Sequence, residues 1–123
     1  MADAYYFDTY ALIEIGKGNP RYEPYKKDVK VFLNRLNLLE LSYFLIREGR
    51  SNEAKEIFEK FLRFNVDYDE NILLESAEMK FRHLKKRISF IDCIGYSLAK
   101  RHNAKFLTGD EGFRNMENVE FVK

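Results

Sequence analysis

Two rhythms of apolar and polar positions run along this chain. Short continuous apolar runs mark strands and three-to-four-residue periods mark helices. Ala4-Tyr5-Tyr6-Phe7 is aromatic-rich and predicts a buried strand over 4–8, followed by a helix over 9–16 through Thr9-Tyr10-Ala11-Leu12-Ile13. Gly16, Gly18, Pro20 and Pro24 then predict a loop, with a short strand near 29–32 and a helix over 34–48. Gly49-Arg50-Ser51-Asn52 breaks that helix and supplies a cap for another reaching about residue 64, with Ala54, Ile57, Phe58, Phe61 and Leu62 on one face. Asn65 to Tyr68 reads as a short strand and Glu70 to Lys86 as a long amphipathic helix. A helix over 89–102, a strand over 104–108, a turn at 110–113 and a last strand at 119–122 complete the pattern.

Strands that alternate with helices predict an α/β fold with three α/β/α layers around a central, mostly parallel sheet of four to five strands. At 123 residues and 46% hydrophobic content the chain can bury one sizeable core, so 1–123 is expected to be a single domain. No internal repeat interrupts it.

Four acids stand beside apolar runs, where a lone charge is awkward to place. Asp8 closes the first strand, and Asp110 follows Lys105-Phe106-Leu107-Thr108 with Gly109 and Gly112 around it. In an open parallel sheet the carboxyl ends of strands form the ligand-binding edge, so two acids 102 residues apart can converge there. Glu40 has Leu36, Asn37, Tyr43 and Phe44 as its helical neighbours, a mostly apolar face on which an unpaired carboxylate is costly. A buried glutamate needs an arginine, a proton or a metal, and Arg47 lies about two turns on. Asp92 sits in the first turn of the helix that starts after Ser89. Each acid also has a plain reading: Asp8 and Asp110 as helix caps or turn residues, and Asp92 as half of a capping box with Ser89. Glu40 is the hardest of the four to explain away.

Composition narrows the partners. Twenty-one basic and twenty acidic residues give a net charge of +1, so nucleic-acid binding through bulk charge is excluded and any such contact must use a local patch. One cysteine rules out an internal disulfide and fits a reducing compartment. No apolar run reaches the roughly 18 residues of a membrane span and no secretory leader is recognisable, so a cytoplasmic protein without membrane contact is expected.

Four segments in order carry a family resemblance: Tyr6-Phe7-Asp8-Thr9, Asn37-Leu38-Leu39-Glu40-Leu41, Ser89-Phe90-Ile91-Asp92-Cys93-Ile94, and Leu107-Thr108-Gly109-Asp110-Glu111-Gly112-Phe113. Together they resemble the PIN domain, a small α/β nuclease fold, and the chain length resembles the stand-alone VapC-type toxins of toxin-antitoxin pairs. The motifs are short, and their order and spacing supply the specificity. The resemblance implies that Asp8, Glu40, Asp92 and Asp110 form the catalytic cluster holding Mg²⁺ or Mn²⁺, with Thr9 and Thr108 as supporting hydroxyls. It also implies a small antitoxin partner and a homodimer. The segment from 17 to 30 is longer and more polar than a minimal member needs.

Physical chemistry points the same way. Two carboxylates about 4 Å apart repel by roughly 4 kcal/mol at an effective dielectric near 20, so four in one cleft require a cation. Hard oxygen donors select Mg²⁺ or Mn²⁺ over Zn²⁺. The expected activity is endonucleolytic cleavage of RNA phosphodiesters by metal-activated water. Lys80, Arg82, Lys85, Lys86 and Arg87 form a basic run near Asp92 that can grip RNA phosphates, or else complement a helix end. Cys93 reads as a packed core thiol, His83 and His102 as helix-end residues, and Glu111 as pointing away from Asp110. The alternatives are a PIN-fold interaction module, a housekeeping RNA-processing nuclease without an antitoxin, and a phospho-receiver-like domain. The last is disfavoured because the middle acid lies on a helix.

Overall fold

In the computed structural model, which describes residues 3–123, the chain forms the expected three layers; Met1 and Ala2 of the anticipated 1–123 domain lie outside the described residues. The order is β1 (Asp3–Phe7), α1 (Thr9–Gly16), β2 (Val29–Phe32), α2 (Arg35–Arg47), α3 (Ser51–Phe61), α4 (Glu70–Arg82), α5 (Phe90–Arg101), β3 (Lys105–Thr108) and β4 (Val119–Phe121). The four strands pair in parallel in the order β2-β1-β3-β4. The order reverses between β1 and β3, whose registers match Phe7 with Leu107. That switch point opens a crevice at the carboxyl end of the sheet.

The two-residue period of the strands sorts their side chains into two cores. Tyr6 and Phe106, with Phe32 and Val119 partly buried beside them, face α4 and α5. Phe7, Leu33 and Leu107 face α1, α2 and α3. Gly95 lets α5 lie close on the sheet: a Cβ there would stand 2.7 Å from Tyr6 and 3.1 Å from Phe106. A buried helix that close fixes where its N-terminus, and hence Asp92, meets the sheet edge.

Three expectations change. Residues 65–68 are no strand; Leu62–Phe64 forms a 3₁₀ turn, and only Asn65 bridges Leu33, in parallel. Extension fails because β2 ends at Phe32 and the chain turns at Asn34 to cap α2, while the Asn65 side chain accepts from the Arg35 N–H at 2.9 Å. The sheet therefore has four strands. The helix expected to reach 86 stops at Arg82; Leu84–Lys86 is a 3₁₀ turn and Arg87 is left-handed (φ 56°). This reversal brings Ile88 into the core and Ser89 into position as a cap. The polar segment after α1 carries a 3₁₀ turn, Pro20–Tyr25, in which Tyr22 donates to the carbonyl of Val122 at 2.5 Å and Tyr25 to Glu120 at 2.6 Å. Its extra length ties the edge strand β4 to the body. Among the described residues no helix is long and apolar enough to cross a membrane.

Candidate functional site

Each of the four acids is fixed by the chain through a local hydrogen bond. Asp8 is the N-cap of α1 and its Oδ1 accepts from the Ala11 N–H at 2.9 Å. Asp92 completes a capping box on α5: its Oδ2 accepts from the Ser89 N–H at 2.9 Å, and its own N–H donates to Ser89 Oγ at 3.0 Å. Asp110 caps the short turn Glu111–Phe113, its Oδ1 accepting from Gly112 N–H at 2.9 Å. Glu40, in mid-helix, receives the Thr9 hydroxyl at 2.6 Å. Cap and candidate ligand are therefore not rival roles. A carboxylate has two oxygens, and in Glu40, Asp92 and Asp110 the bonds to described residues engage one of them.

The acids feel one another across the crevice. Burial raises the Asp8 carboxyl to about 8; bonds from Thr108 and Ala11 oppose the rise, and Asp92 and Asp110 add to it. Burial raises Asp92 as well, against its bonds to Ser89, with Asp110 raising it further and Lys80 opposing. Glu40 is raised by burial, against the bond from Thr9, and by Asp92. The acids thus share one edge. Among the described residues, however, no three His, Cys, Asp or Glu side chains are drawn to metal-ligating spacing.

Their ranking by burial differs from the sequence reading. Asp8, which has an ordinary explanation as a cap, is only 3% exposed, whereas Glu40 is half-buried. Glu40's helix face is less apolar than its neighbours suggest, because Tyr43 is exposed. Arg47 sits over the Tyr43 ring, with its guanidinium carbon 5.5 Å from the ring centre. Thr9 and Thr108 both lie within this network: Thr108 is fully buried, and its hydroxyl accepts from the Asp110 N–H at 3.1 Å.

Two members of the network, Asn37 and Tyr6, carry roles that the sequence reading does not assign. Asn37 is 1% exposed; its Oδ1 accepts from the Tyr6 hydroxyl and from the Asn34 N–H, and its Nδ2 donates to Thr9 Oγ1 at 3.3 Å. Tyr6 thus supports Asn37, which supports Thr9, which holds Glu40. The available signal was the Asn34-x-x-Asn37 spacing, a capping box built from two amides.

The basic run divides. Arg82 and Lys86 line a groove between α4 and α5, whereas Lys85 and Arg87 are exposed outside it. Lys80 turns inward and donates to the Ile88 carbonyl at 2.6 Å. Cys93 is buried in the core, its thiol pushed up to about 11 by that burial. His102 rests against Phe32, and both histidines occupy helix C-caps. Glu111 pairs with Arg114 and Lys123, outside the acidic edge.

A family model described as PIN domain matches residues 5–119. No curated protein matches the chain. Among solved structures, a chain of a toxin-antitoxin complex from Klebsiella pneumoniae is similar with TM-score 0.71 and 15% identity, over 94% of this chain and 95% of that one. A chain of VapBC2 from Rickettsia felis, bound to a DNA fragment from their promoter, gives TM-score 0.71 and 19% identity, over 97% of each. A protein from Pyrobaculum aerophilum gives TM-score 0.66 and 17% identity, over 99% of this chain and 92% of that one. At such identities the likeness is one of fold.

Proposed function

Because the chain belongs to the PIN domain family, we propose that it is a divalent-metal-dependent endoribonuclease, with Asp8, Glu40, Asp92 and Asp110 as its acidic centre and a toxin-antitoxin pair as its setting. PIN domains are generally nucleases that use divalent metal ions. The observation that carries the reading is the state of Asp8. A carboxyl pushed to about 8 chiefly by its burial, with two further acids adding to the rise and two hydrogen bonds opposing it, is one that a cation would draw back into the charged form.

The donor set fits such a cation. It comprises four carboxylates with two threonine hydroxyls behind them, hard oxygens suited to Mg²⁺ or Mn²⁺. When bound, the ion supplies positive charge at the scissile phosphate and acidifies an attacking water. The protein's own part is positioning. Asp8 and Asp110 are set by the two central strands, Asp92 by its capping box, and Glu40 by the relay through Thr9 and Asn37. Glu40, less buried than Asp8 and with one oxygen uncommitted to described residues, suits proton removal from the water, and its raised pKa favours that task.

Two surfaces support partner binding. A groove of about 500 Å³ between α1, α2 and α3 is floored by Leu12, Leu41, Phe44 and Ile57, with Lys17, Glu48, Arg50 and Lys60 along its wall; it suits an apolar antitoxin segment. Leu74 and Phe81, seven residues apart on α4, and Leu84 just beyond it are exposed, a face suited to pairing two copies.

Cleavage of a labelled RNA by purified protein tests the activity. Cutting that requires Mg²⁺ or Mn²⁺ and disappears in Asp92→Asn is expected. Undiminished cutting by Asp92→Asn, prepared free of contaminating nuclease, would overturn the assignment.

A further inference from the structure

A groove of about 690 Å³ lies between α4, α5 and the segment that descends from β3 to β4. Four cations from separate parts of the chain line it: Arg82 and Lys86 from the end of α4 and its following turn, and Lys100 and Arg101 from the end of α5. Glu75 and Glu117 are acids of its wall, and Arg82 is paired with Glu78 at 3.8 Å and Arg101 with Asp69 at 2.8 Å, so among the described residues Lys86 and Lys100 are the lining cations left without an ion pair. The sequence scatters these cations over 20 residues, and the packing of α5 on α4, with Arg101 beside Asp69 at the start of α4, lines them along one groove, Arg82 and Lys86 toward one end and Lys100 and Arg101 toward the other. Arg101 has one guanidinium nitrogen on Asp69 at 2.8 Å and retains further N–H donors.

The groove adjoins the acidic edge. Gly112, whose N–H holds Asp110, packs so tightly on the turn at 86–88 that a Cβ would stand 3.0 Å from the Lys86 carbonyl and 2.9 Å from Ile88. One residue therefore separates an acid of the edge from the upper end of the groove. Along α5, Asp92, Tyr96 and Lys100 recur every four residues on one stripe, and Lys100 lies about 12 Å from Asp92 at 1.5 Å per residue. Tyr96 is held in place by donating to the Glu117 carbonyl at 2.5 Å, which fixes the groove wall.

We propose that this groove holds the phosphate backbone of single-stranded RNA flanking the cut, with Lys86 and Lys100 as its main contacts and Arg82 and Arg101 beside them. The inference rests on the nuclease reading above, because it is the acidic edge that would orient the strand along α5. A polyanion approaching four carboxylates needs counter-charge next to them, and Lys86 and Lys100, neither of them ion-paired to a described residue, supply it on one side. Contacts of this kind position a strand without reading its sequence.

The test uses the full chain carrying Asp92→Asn, which keeps RNA uncut, and fluorescence anisotropy with a labelled single-stranded 12-mer RNA. Adding Lys86→Gln and Lys100→Gln should weaken binding about tenfold at 0.15 M salt and flatten the slope of log affinity against log salt by about 1.4, roughly 0.7 per lost phosphate contact. The pair Lys27→Gln and Lys55→Gln removes the same charge away from the groove and should leave the slope unchanged. Circular dichroism melts establish that both are folded; all four lysines are exposed. Equal slopes for the two pairs would overturn the groove. The nuclease reading is judged separately, by cleavage with Asp92 intact, so the two can fail independently. Loss of binding to an acidic peptide, with RNA affinity unaltered, would also overturn the proposal and assign the groove to a protein partner.

Discussion

The two strand-end acids and the two helix-borne acids reach the same crevice by different means. Asp8 and Asp110 follow adjacent parallel strands, so their separation is set by the sheet, and Asp8 is sealed in with its carboxyl raised to about 8. Asp92 and Glu40 depend on helices packed on opposite faces, and each is steered by a hydroxyl, Ser89 or Thr9. The sheet sets the strand-end pair directly, while the helix-borne pair is set by side-chain hydrogen bonds and helix packing. The proposed metal-dependent nuclease would draw on both.

The largest effects expected are from Asp8→Asn and Asp92→Asn, each of which should reduce cleavage at least about 10³-fold; at Asp8 an amide can still take the Ala11 bond but cannot carry charge. Steady-state cleavage of a labelled RNA measures them. Glu40→Gln should fall short of that loss if the helix-borne acid assists rather than anchors; equal losses would erase the distinction.

Stability against pH sharpens the comparison. The folded Asp8 carboxyl lies above its unfolded value of 3.8, so the native state binds more protons than the unfolded one between pH about 4 and about 8. The cation-free protein should be favoured below pH 4 by this group and lose that contribution as pH rises to about 8. Denaturant melts across this range should show the decline, and Asp8→Asn should flatten it. Added Mn²⁺ should raise the melting temperature more at pH 8 than at pH 5, because a cation competes with the proton. A metal effect independent of pH would remove Asp8 from the ligand set.

Smaller changes probe the helix side. Thr9→Val removes the hydroxyl that holds Glu40 and should cost about 10- to 100-fold in cleavage with little change in melting temperature. Ser89→Ala removes the N-cap of α5 and should cost about 1 kcal/mol in urea unfolding. If Ser89→Ala instead reduced cleavage as far as Asp8→Asn, the placement of Asp92 by its cap would matter as much as the strand-end acids themselves.

Much of this arrangement was legible in the residues. Short aromatic runs before Asp8 and Asp110 carried the two central strands, and the capping pattern at Ser89 to Asp92 marked the start of α5 within a residue. What escaped was tertiary. Asn65 to Tyr68 has strand-like residues but finds only one paired position, because β2 has already ended. Asn37 looked like an ordinary polar residue on a helix, and its part in holding Glu40 depends on Tyr6 and Thr9 arriving from 28 or more residues away. The basic run looked continuous, but a left-handed turn at Arg87 and the inward reach of Lys80 split it.

The parallel pairing of β1 with β3 also sets an order of events during synthesis. Asp8, Glu40 and Asp92 emerge from the ribosome before residues 105–108, yet until β3 arrives the first strand lacks its inner neighbour and Asp110 does not exist. The crevice cannot close on a nascent chain that still lacks residues 105–110. A protein proposed to cut RNA would therefore be made beside ribosomal and messenger RNA in an unarmed form.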